Sequence, residues 1–280
     1  MTSELVSTAW LVEHLEDENV VLLDASMNTV LGKEPIIYDG VHCIPNALNM
    51  SLEESFFDLQ SAMSHAMPTE AQFTVAAQNL GIDHDSIVVI YDDQGIYSAP
   101  RAWWTFKVMG FENVFVLDGG LPQWMAENLP VANEFASPSK RGNIVGHKQS
   151  NLIADVIEVA ESINKKSISI FDARGVARFN GSAREPRAGV RSGHIPKSIN
   201  VPFLQVLNGF KLKSREQLKP LFETTTSAEE QQRIFSCGSG ITACILILAS
   251  KEAEHTRNKL YDGSWAEWGA NAQLPIMLAS

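Results

Sequence analysis

The sequence predicts an α/β protein of two tandem domains, each with a mostly parallel central sheet flanked by helices. Three observations support this fold class. Short runs of Val, Ile and Leu alternate with helical patterns along the chain, as in parallel sheets that are covered on both faces. Segments of the first half recur in order in the second half. The 280 residues are also enough for two domains of ordinary size.

Four pairs of segments carry the internal repeat. VVLLDAS (20–26) matches SISIFDAR (167–174), IPNALNM (44–50) matches IPKSINV (195–201), IVVIYDD (87–93) matches RIFSC (233–237), and LDGGLPQW (117–124) matches YDGSWAEW (261–268). Corresponding residues of the last two pairs are separated by the same number of positions along the chain. Four matches in the same order indicate a tandem duplication.

Helical patterns occupy equivalent places in the two halves. Apolar residues at helical spacing predict a helix before the first strand of each half, at 7–17 and 152–163. A second helix is predicted after the central strand, at 98–110 and 242–254. Since ligands of such sheets bind beyond the carboxyl ends of the strands, the site is expected there.

A polar stretch separates the halves. Residues 132–150 are rich in Gly, Ser and Lys and lack a clear period, which predicts an inter-domain linker. The expected division is an N-terminal domain at 1–131, this linker, and a C-terminal domain at 151–280.

Composition excludes several classes of protein. The net charge of −11 disfavours a nucleic-acid partner, which would need a basic face. Three cysteines without a C-x-x-C pair predict neither a disulfide framework nor a zinc site, so free thiols in the cytoplasm are expected. The N-terminal stretch lacks the features of a signal peptide, and no apolar run is long enough for a membrane helix. No membrane partner is expected.

The segment CGSGIT, which begins at Cys237, is the strongest candidate for chemistry. It lies between an apolar strand and an apolar helix pattern. Small residues such as Gly238 and Gly240 let successive backbone N–H groups converge on one point, and the helix adds the positive end of its dipole. Such surroundings stabilise a thiolate, the reactive form of cysteine. Cys237 is therefore predicted to be a nucleophile rather than a core residue.

The corresponding position in the first half is Asp93, in YDDQGIY. A carboxylate cannot act as a thiol nucleophile, so the N-terminal domain is expected to be catalytically silent. Cys244 falls within the apolar helix and Cys43 within VHCIPN, and both are interpreted as structural. Cysteine-phosphatase chemistry is disfavoured, because the arginine that holds phosphate six positions after the cysteine is replaced by Ala243.

Taken together, the motifs resemble those of the tandem-domain rhodanese-like sulfurtransferases, and among them the 3-mercaptopyruvate sulfurtransferases. The resemblance rests on CGSGIT, SGHIPKSINVP and LYDGSWAEWG in the second half, and on YSAPRAWW and LDGGLPQW in the first. It implies the tandem α/β fold and an active-site loop from Cys237 to Thr242, with Gly238, Ser239, Gly240 and Ile241 between them.

The resemblance also implies a choice of sulfur donor. Thiosulfate-using members have cationic residues after the cysteine, where this chain has Gly238 and Ser239. Mercaptopyruvate is therefore favoured, and its carboxylate and carbonyl are expected to bind Arg178 and Arg187, as in the family. Arginine suits this role because its planar guanidinium binds carboxylates through two parallel hydrogen bonds. Arg184, in the same segment, is expected to be solvated.

Further family positions come from both halves. The resemblance places His65 and Glu53 beside the substrate, where with Ser239 they form a possible proton relay; an exposed histidine and a solvated glutamate are the alternative. Asp172 and His194 are interpreted as loop-tying residues. The equivalent tryptophans of the two halves are expected in the cores; they are Trp124 and Trp268.

The predicted function is transfer of sulfane sulfur from 3-mercaptopyruvate to an acceptor through a Cys237 persulfide, without a metal or organic cofactor. The acceptor is left open between thioredoxin, another thiol and cyanide. Three alternatives remain: a thiosulfate:cyanide sulfurtransferase, a sulfur-carrier module that does not turn over, and a purely structural tandem repeat.

Overall fold

The computed structural model describes residues 3–223 and 232–278, and these form two compact units. Within the described residues, unit 1 comprises the chain up to Asp58, then Met67–Gln149 and Leu207–Leu212. Unit 2 comprises Leu59–Ala66, Ser150–Val206 and the described chain from Lys213 onwards. Each unit therefore contains one short segment from the other half of the chain.

Unit 1 is built on a five-stranded parallel sheet. Its elements are β1 (Leu5–Val6), α1 (Thr8–His14), β2 (Val20–Asp24), β3 (Leu48–Asn49), α2 (Leu52–Ser55), α3 (Glu70–Asn79), β4 (Ile87–Tyr91), α4 (Ala99–Val108), β5 (Val114–Leu117) and α5 (Gly120–Ala126). The strand order is β1-β5-β4-β2-β3, and every neighbouring pair is parallel.

Unit 2 contains a second five-stranded parallel sheet. The elements of the second half of the chain are β6 (Ile153–Ala154), α6 (Val156–Ser162), β7 (Ile168–Asp172), α7 (Val176–Phe179), β8 (Ile199–Asn200), β9 (Leu207–Asn208), β10 (Lys211–Leu212), α8 (Arg215–Phe222), β11 (Gln232–Ser236), α9 (Ile241–Glu252), β12 (Asn258–Tyr261) and α10 (Ser264–Trp268). The sheet order is β6-β12-β11-β7-β8, all parallel. The antiparallel pair of β9 and β10 belongs to unit 1.

The two sheets have the same order of equivalent strands, which confirms the predicted α/β fold class and its duplication. Central strands β4 and β11 occupy the third position of their sheets, and each leads through a loop into an apolar helix, α4 or α9. Because all strands are parallel, their carboxyl ends meet at one edge of each sheet. The candidate site loop from Cys237 lies at that edge of unit 2.

Helix starts follow their capping residues. The helix predicted at 7–17 spans Thr8–His14, because the Ser7 side chain accepts the N–H of Trp10. The helix predicted at 152–163 begins only at Val156, because the Asp155 side chain caps it and the preceding pair joins the sheet beside β12.

The equivalent tryptophans are confirmed as core residues. Trp124 and Trp268 are fully buried. Each indole Nε1 donates to the carbonyl of a proline, Pro130 at 2.7 Å and Pro275 at 2.8 Å. The same buried hydrogen bond therefore closes the chain after α5 and after α10, and it satisfies the only polar atom of each side chain.

Residues 132–149, within the predicted linker, pack on unit 1. Ala132 pairs with Cys43 and Ala136 with Leu48 in isolated β-bridges, and the Ile144 side chain is buried. We keep 1–131, 132–150 and 151–280 as the proposed domains. In the described ranges no helix is long and apolar enough to cross a membrane.

Candidate active site

The candidate nucleophile follows the central strand of unit 2 directly. Cys237 comes after β11, and its side chain is buried, with 2% of its surface exposed. The backbone N–H of Gly240 donates to Cys237 Sγ at 3.1 Å. Gly240 is the N-cap of α9 and has a φ of 81°, which places its N–H towards the sulfur in a conformation that favours glycine. The sulfur thus lies at the positive end of α9.

Helix α10 holds the other side of this loop. Trp265 N–H donates to the Cys237 carbonyl at 3.0 Å, and Ala266 N–H donates to the Gly238 carbonyl at 2.9 Å. In a planar trans peptide the N–H points opposite to the carbonyl. The N–H groups of Gly238 and Ser239 are therefore directed away from α10. Backbone donors directed in this way are available to an anion on that side of the loop.

The Cys237 N–H itself is bound by Ser264. Ser264 Oγ accepts this N–H at 3.2 Å and donates to the Tyr261 carbonyl at 2.8 Å. Ser264 is buried and has a φ of 50°, an unusual conformation for a residue other than glycine. Sequence reasoning did not select Ser264, although it lies within the repeated motif YDGSWAEW.

Arg178 lies against the loop. A Cβ atom added to Gly238 would stand 3.1 Å from Arg178 Nη2, so the guanidinium occupies the space that a side chain would take. Arg178 Nη2 also donates to Glu185 Oε2 at 2.5 Å, and Arg178 Nε to Glu185 Oε1 at 3.3 Å. The absence of a side chain at Gly238 therefore permits the close approach of a cation.

Glu185 also binds a second, more deeply buried arginine. Arg174 Nη1 donates to Glu185 Oε1 at 2.8 Å. The same guanidinium binds both oxygens of Asp172 and stacks 4.4 Å from the Trp265 ring centroid. Asp172 is thus a loop-tying residue, as predicted. Neither Glu185 nor Arg174 was selected from the sequence, although Glu185 stands in the motif that supplied both candidate arginines.

Arg187 and Arg184 differ in accessibility. Arg187 is half-buried, and within the described ranges it makes no hydrogen bond or ion pair. Its guanidinium therefore keeps all its donors for a ligand. Arg184 is exposed, as expected. The structural interpretation of His194 is confirmed, since its Nδ1 bonds the Phe179 carbonyl at 2.8 Å.

His65 belongs to unit 2 together with the cysteine loop. Its Nδ1 and the Ser239 Oγ are 2.9 Å apart, a hydrogen bond whose donor depends on the histidine tautomer. His65 has a φ of 57° and is half-buried. Glu53 lies on α2 in unit 1, where its Oε2 accepts the N–H of Asn28 at 2.8 Å. The relay role of Glu53 remains a proposal.

The first candidate residues of α9 complete the loop. Ile241 is buried and Thr242 is half-buried at the start of the helix. Further along α9, Cys244 Sγ donates to the Gly240 carbonyl at 3.3 Å. This bond accounts for Cys244 as a structural residue, and it braces the glycine whose N–H faces the candidate nucleophile.

The equivalent loop of unit 1 is closed by its own carboxylate, Asp92. The prediction that Asp93 corresponds to Cys237 is wrong by one residue: Tyr91 pairs with Asp24 as Ser236 pairs with Asp172, so Asp92 takes the place of the cysteine. Asp92 Oδ2 accepts the backbone N–H groups of Tyr97, Ser98 and Ala99 at 2.8–2.9 Å. These are the donors at the start of α4, so the anion position at this helix is filled from within the chain. Burial then raises the pKa of the neighbouring Asp93 to about 6, and the Asp92 charge adds to the effect.

A cavity of about 670 Å³ opens at this edge of unit 1. Its lining includes Asp24, Asp93 and Tyr38. No cysteine is among the residues that line it, so this edge presents carboxylates and a phenol where unit 2 presents a thiol.

Comparison with known proteins gives the family. The rhodanese-like domain matches the chain twice, at residues 7–127 and 155–271. The chain therefore belongs to the rhodanese-like domain family, as the motifs predicted.

Relatives of similar length are sulfurtransferases. The 3-mercaptopyruvate sulfurtransferase of Escherichia coli is 34% identical over 98% of both chains. The thiosulfate sulfurtransferase of Rattus norvegicus is 36% identical over 94% of this chain and 91% of its own. The crystal structure of SseA, a 3-mercaptopyruvate sulfotransferase from Escherichia coli, superposes with a TM-score of 0.81 at 31% identity, over 94% of this chain and 99% of that one. The chain is accordingly a sulfurtransferase of the tandem rhodanese type.

Proposed function

We propose that the protein transfers sulfane sulfur from 3-mercaptopyruvate to a thiol or cyanide through a persulfide on Cys237. Identity alone does not choose the donor, because relatives named for mercaptopyruvate and for thiosulfate are similarly close, at 34% and 36%. The choice rests instead on the residues of the loop.

The hydrogen bond between His65 Nδ1 and Ser239 Oγ, at 2.9 Å, carries the proposal. When a thiolate takes the sulfur of mercaptopyruvate, the leaving group is the enolate of pyruvate, which needs a proton on carbon. When it takes the outer sulfur of thiosulfate, sulfite leaves as a stable anion and needs none. A loop serine paired with His65, in a loop that carries no side-chain cation, therefore suits the keto acid.

The substrate carboxylate binds Arg187, which has its guanidinium donors available, and the remaining Nη1 hydrogens of Arg178 contact the carbonyl. The Cys237 thiolate attacks the substrate sulfur, and the carbon–sulfur bond breaks as the electron pair moves into the enolate. The Ser239 hydroxyl, replenished by His65, delivers the proton that gives pyruvate. Glu53 in this proposal supports the histidine.

The second half-reaction returns the enzyme to its starting state. The outer sulfur of the persulfide is held by the N–H groups of the loop from Gly238 to Thr242, a preorganised electrostatic site. An acceptor thiolate, on thioredoxin or a smaller thiol, attacks this sulfur and restores the Cys237 thiolate. Cyanide accepts it as thiocyanate. The cycle is ping-pong and requires no metal or organic cofactor.

The donor assay decides between the two candidate functions. The value of kcat/KM is measured for 3-mercaptopyruvate and for thiosulfate on the wild-type protein, with cyanide as the common acceptor. We expect mercaptopyruvate to be preferred, and Cys237→Ser to be inactive with both donors. A preference for thiosulfate, the activity that names the rat relative, would replace the first candidate by the second.

Multiple-turnover kinetics distinguish the proposed enzyme from a sulfur carrier that does not turn over. The proposal requires many thiocyanate molecules per chain, whereas a carrier yields one at most.

The thiol chemistry suits a reducing compartment, and we infer a cytoplasmic location from the three free cysteines. We also infer that the N-terminal domain supplies no nucleophile, because Asp92 stands in place of the cysteine.

A further inference from the structure

Glu185 forms the centre of a charge network beside the cysteine loop. Its side chain is only 4% exposed, yet it receives three donor nitrogens from two arginines, Arg178 and Arg174. A buried carboxylate costs free energy unless it is paired and hydrogen-bonded, and here both oxygens are. Its partner Arg178 keeps 20% of its side chain exposed beside Gly238.

The network is electrically neutral as a whole. Asp172, Arg174, Glu185 and Arg178 alternate in sign, with bonds of 2.7, 2.8 and 2.5 Å between successive partners. Arg187 makes no ion pair within the described ranges. The candidate arginines therefore offer a donor molecule one uncompensated positive charge rather than two.

The geometry also fixes the direction of Arg178. Two bonds to one carboxylate orient a guanidinium in its own plane, as in other forked arginine–carboxylate pairs. Arg178 Nη2 is thereby held where a Gly238 side chain would otherwise stand, and the hydrogens of Nη1 remain for a ligand.

We propose that Glu185 is a positioning and specificity-determining residue, which holds Arg178 beside Gly238 and cancels its charge, so that the site favours a monoanionic sulfur donor over a dianionic one. The inference rests on the proposed function, because it assumes that Arg178 and Arg187 bind the donor. Mercaptopyruvate carries one negative charge near neutral pH and thiosulfate carries two.

The test compares kcat/KM for the two donors in Glu185→Gln. Removing one negative charge a few ångströms from the donor strengthens binding of a dianion relative to a monoanion by on the order of tenfold, once solvent screening is included. We therefore expect the thiosulfate-to-mercaptopyruvate ratio to rise about tenfold, and this rise to shrink as ionic strength increases. A structural role alone lowers both values equally and leaves the ratio unchanged, which would overturn the proposal.

Three further variants test whether the effect comes from the charge of Glu185. Glu185→Asp preserves the charge but shortens the side chain, so we expect both kcat/KM values to fall while their ratio stays at the wild-type value. Glu185→Ser removes the charge with a smaller side chain and replaces Glu185→Gln if that variant does not fold. Glu158→Gln is the matched control, since it removes a carboxylate of unit 2 that pairs with Lys259 outside this network. The thiosulfate-to-mercaptopyruvate ratio of Glu158→Gln should equal that of the wild-type protein.

The outcomes for the two proposals are distinct. Wild-type preference for thiosulfate overturns the proposed function whatever the variants do. Wild-type preference for mercaptopyruvate with an unchanged ratio in the neutral Glu185 variants overturns only the role of Glu185.

Discussion

The three cysteines of the chain have different hydrogen-bond surroundings. All three are free and buried. Cys237 Sγ accepts a backbone N–H, whereas Cys43 Sγ donates to the Glu134 carbonyl at 3.2 Å and Cys244 Sγ donates to a helix carbonyl. Burial raises the pKa of the Cys43 thiol, and the nearby Asp24 charge raises it further. The Cys237 sulfur thus lies against a donor at a helix start, whereas the other two thiols donate to carbonyls.

Arg187→Ala tests the proposed carboxylate contact. Loss of a hydrogen bond between charged groups costs about 1.5–3 kcal/mol, so we expect kcat/KM for mercaptopyruvate to fall by roughly 10- to 150-fold. Arg184→Ala is the control, because Arg184 is exposed and three residues away in the same segment. Steady-state kinetics of both variants give the answer, and full activity of Arg187→Ala would contradict the assignment.

Asp93→Asn tests the half-buried carboxyl that follows Asp92, the residue that stands in place of the cysteine. Its folded-state pKa is raised to about 6 by burial and by the Asp92 and Asp24 charges, while Lys33 and Tyr38 also lie nearby. A carboxyl with a raised pKa favours folding at low pH, and this contribution is lost as pH rises from about 4 through about 6. The variant should therefore gain stability at pH 8 relative to pH 4.5.

The expected gain for Asp93→Asn is about 1–2 kcal/mol after discounting for solvent screening. Thermal unfolding at the two pH values measures it, with Asp85→Asn as an exposed control. An equal change at both pH values would show that the ionised form of Asp93 is not disfavoured in the folded protein.

At the scale of elements, the same strand, loop and helix give two different sites. The loop before α9 directs the N–H of Gly240 at a sulfur atom, whereas the loop before α4 turns an internal carboxylate onto the helix start. A helix N-terminus attracts any nearby negative charge, whether it belongs to a ligand or to a side chain. The residue at the cysteine position, Asp92 or Cys237, therefore decides whether the helix start is filled from within the chain.

Gly240→Ala tests the start of α9. At a φ of 81° an added Cβ costs about 1–2 kcal/mol, and any relaxation of this strain moves the N–H away from Cys237 Sγ. We expect both a lower unfolding temperature and at least a tenfold loss of kcat, measured by calorimetry and steady-state assay. Gly209→Ala is the matched control, since its φ is 62° and an added Cβ meets nothing within 4 Å. It should lose stability but keep activity.

At the scale of the whole molecule, both copies of the repeat keep the features that stabilise the fold, and the second copy carries the candidate nucleophile. Both copies keep the sheet order and the buried tryptophan bond to a proline carbonyl. The net charge of −11 repels anionic donors at long range, so their capture depends on local arginines and backbone N–H groups.

One transferable sulfur per chain is the prediction for the intact protein. Incubation with donor and no acceptor should add a single sulfur atom to the chain mass, and peptide mapping should place it on Cys237. Cys43 and Cys244 should stay unmodified, because each thiol is buried and donates to a backbone carbonyl. A second added sulfur would contradict the view that one copy alone carries the chemistry.

Much of the fold and the central site could be predicted from the sequence. Strand runs and repeats report local propensity and burial, so the two parallel sheets and the placement of Cys237 before α9 followed directly. Helix ends differed from the prediction, since the cap at Asp155 starts the helix later than the apolar pattern does. Glu185 and Ser264 were missed, because their importance lies in partners far along the chain.

The sequence by itself determined the fold class, the duplication and the one cysteine with a reactive setting, since these depend on residue type and local order. Only the tertiary structure decided what surrounds that cysteine. It brought the N–H groups of α10 to the loop carbonyls, joined His65 to Ser239, and set Glu185 between two arginines. Such contacts join side chains and backbone groups distant in sequence, and they exist only once packing has fixed their distances and angles.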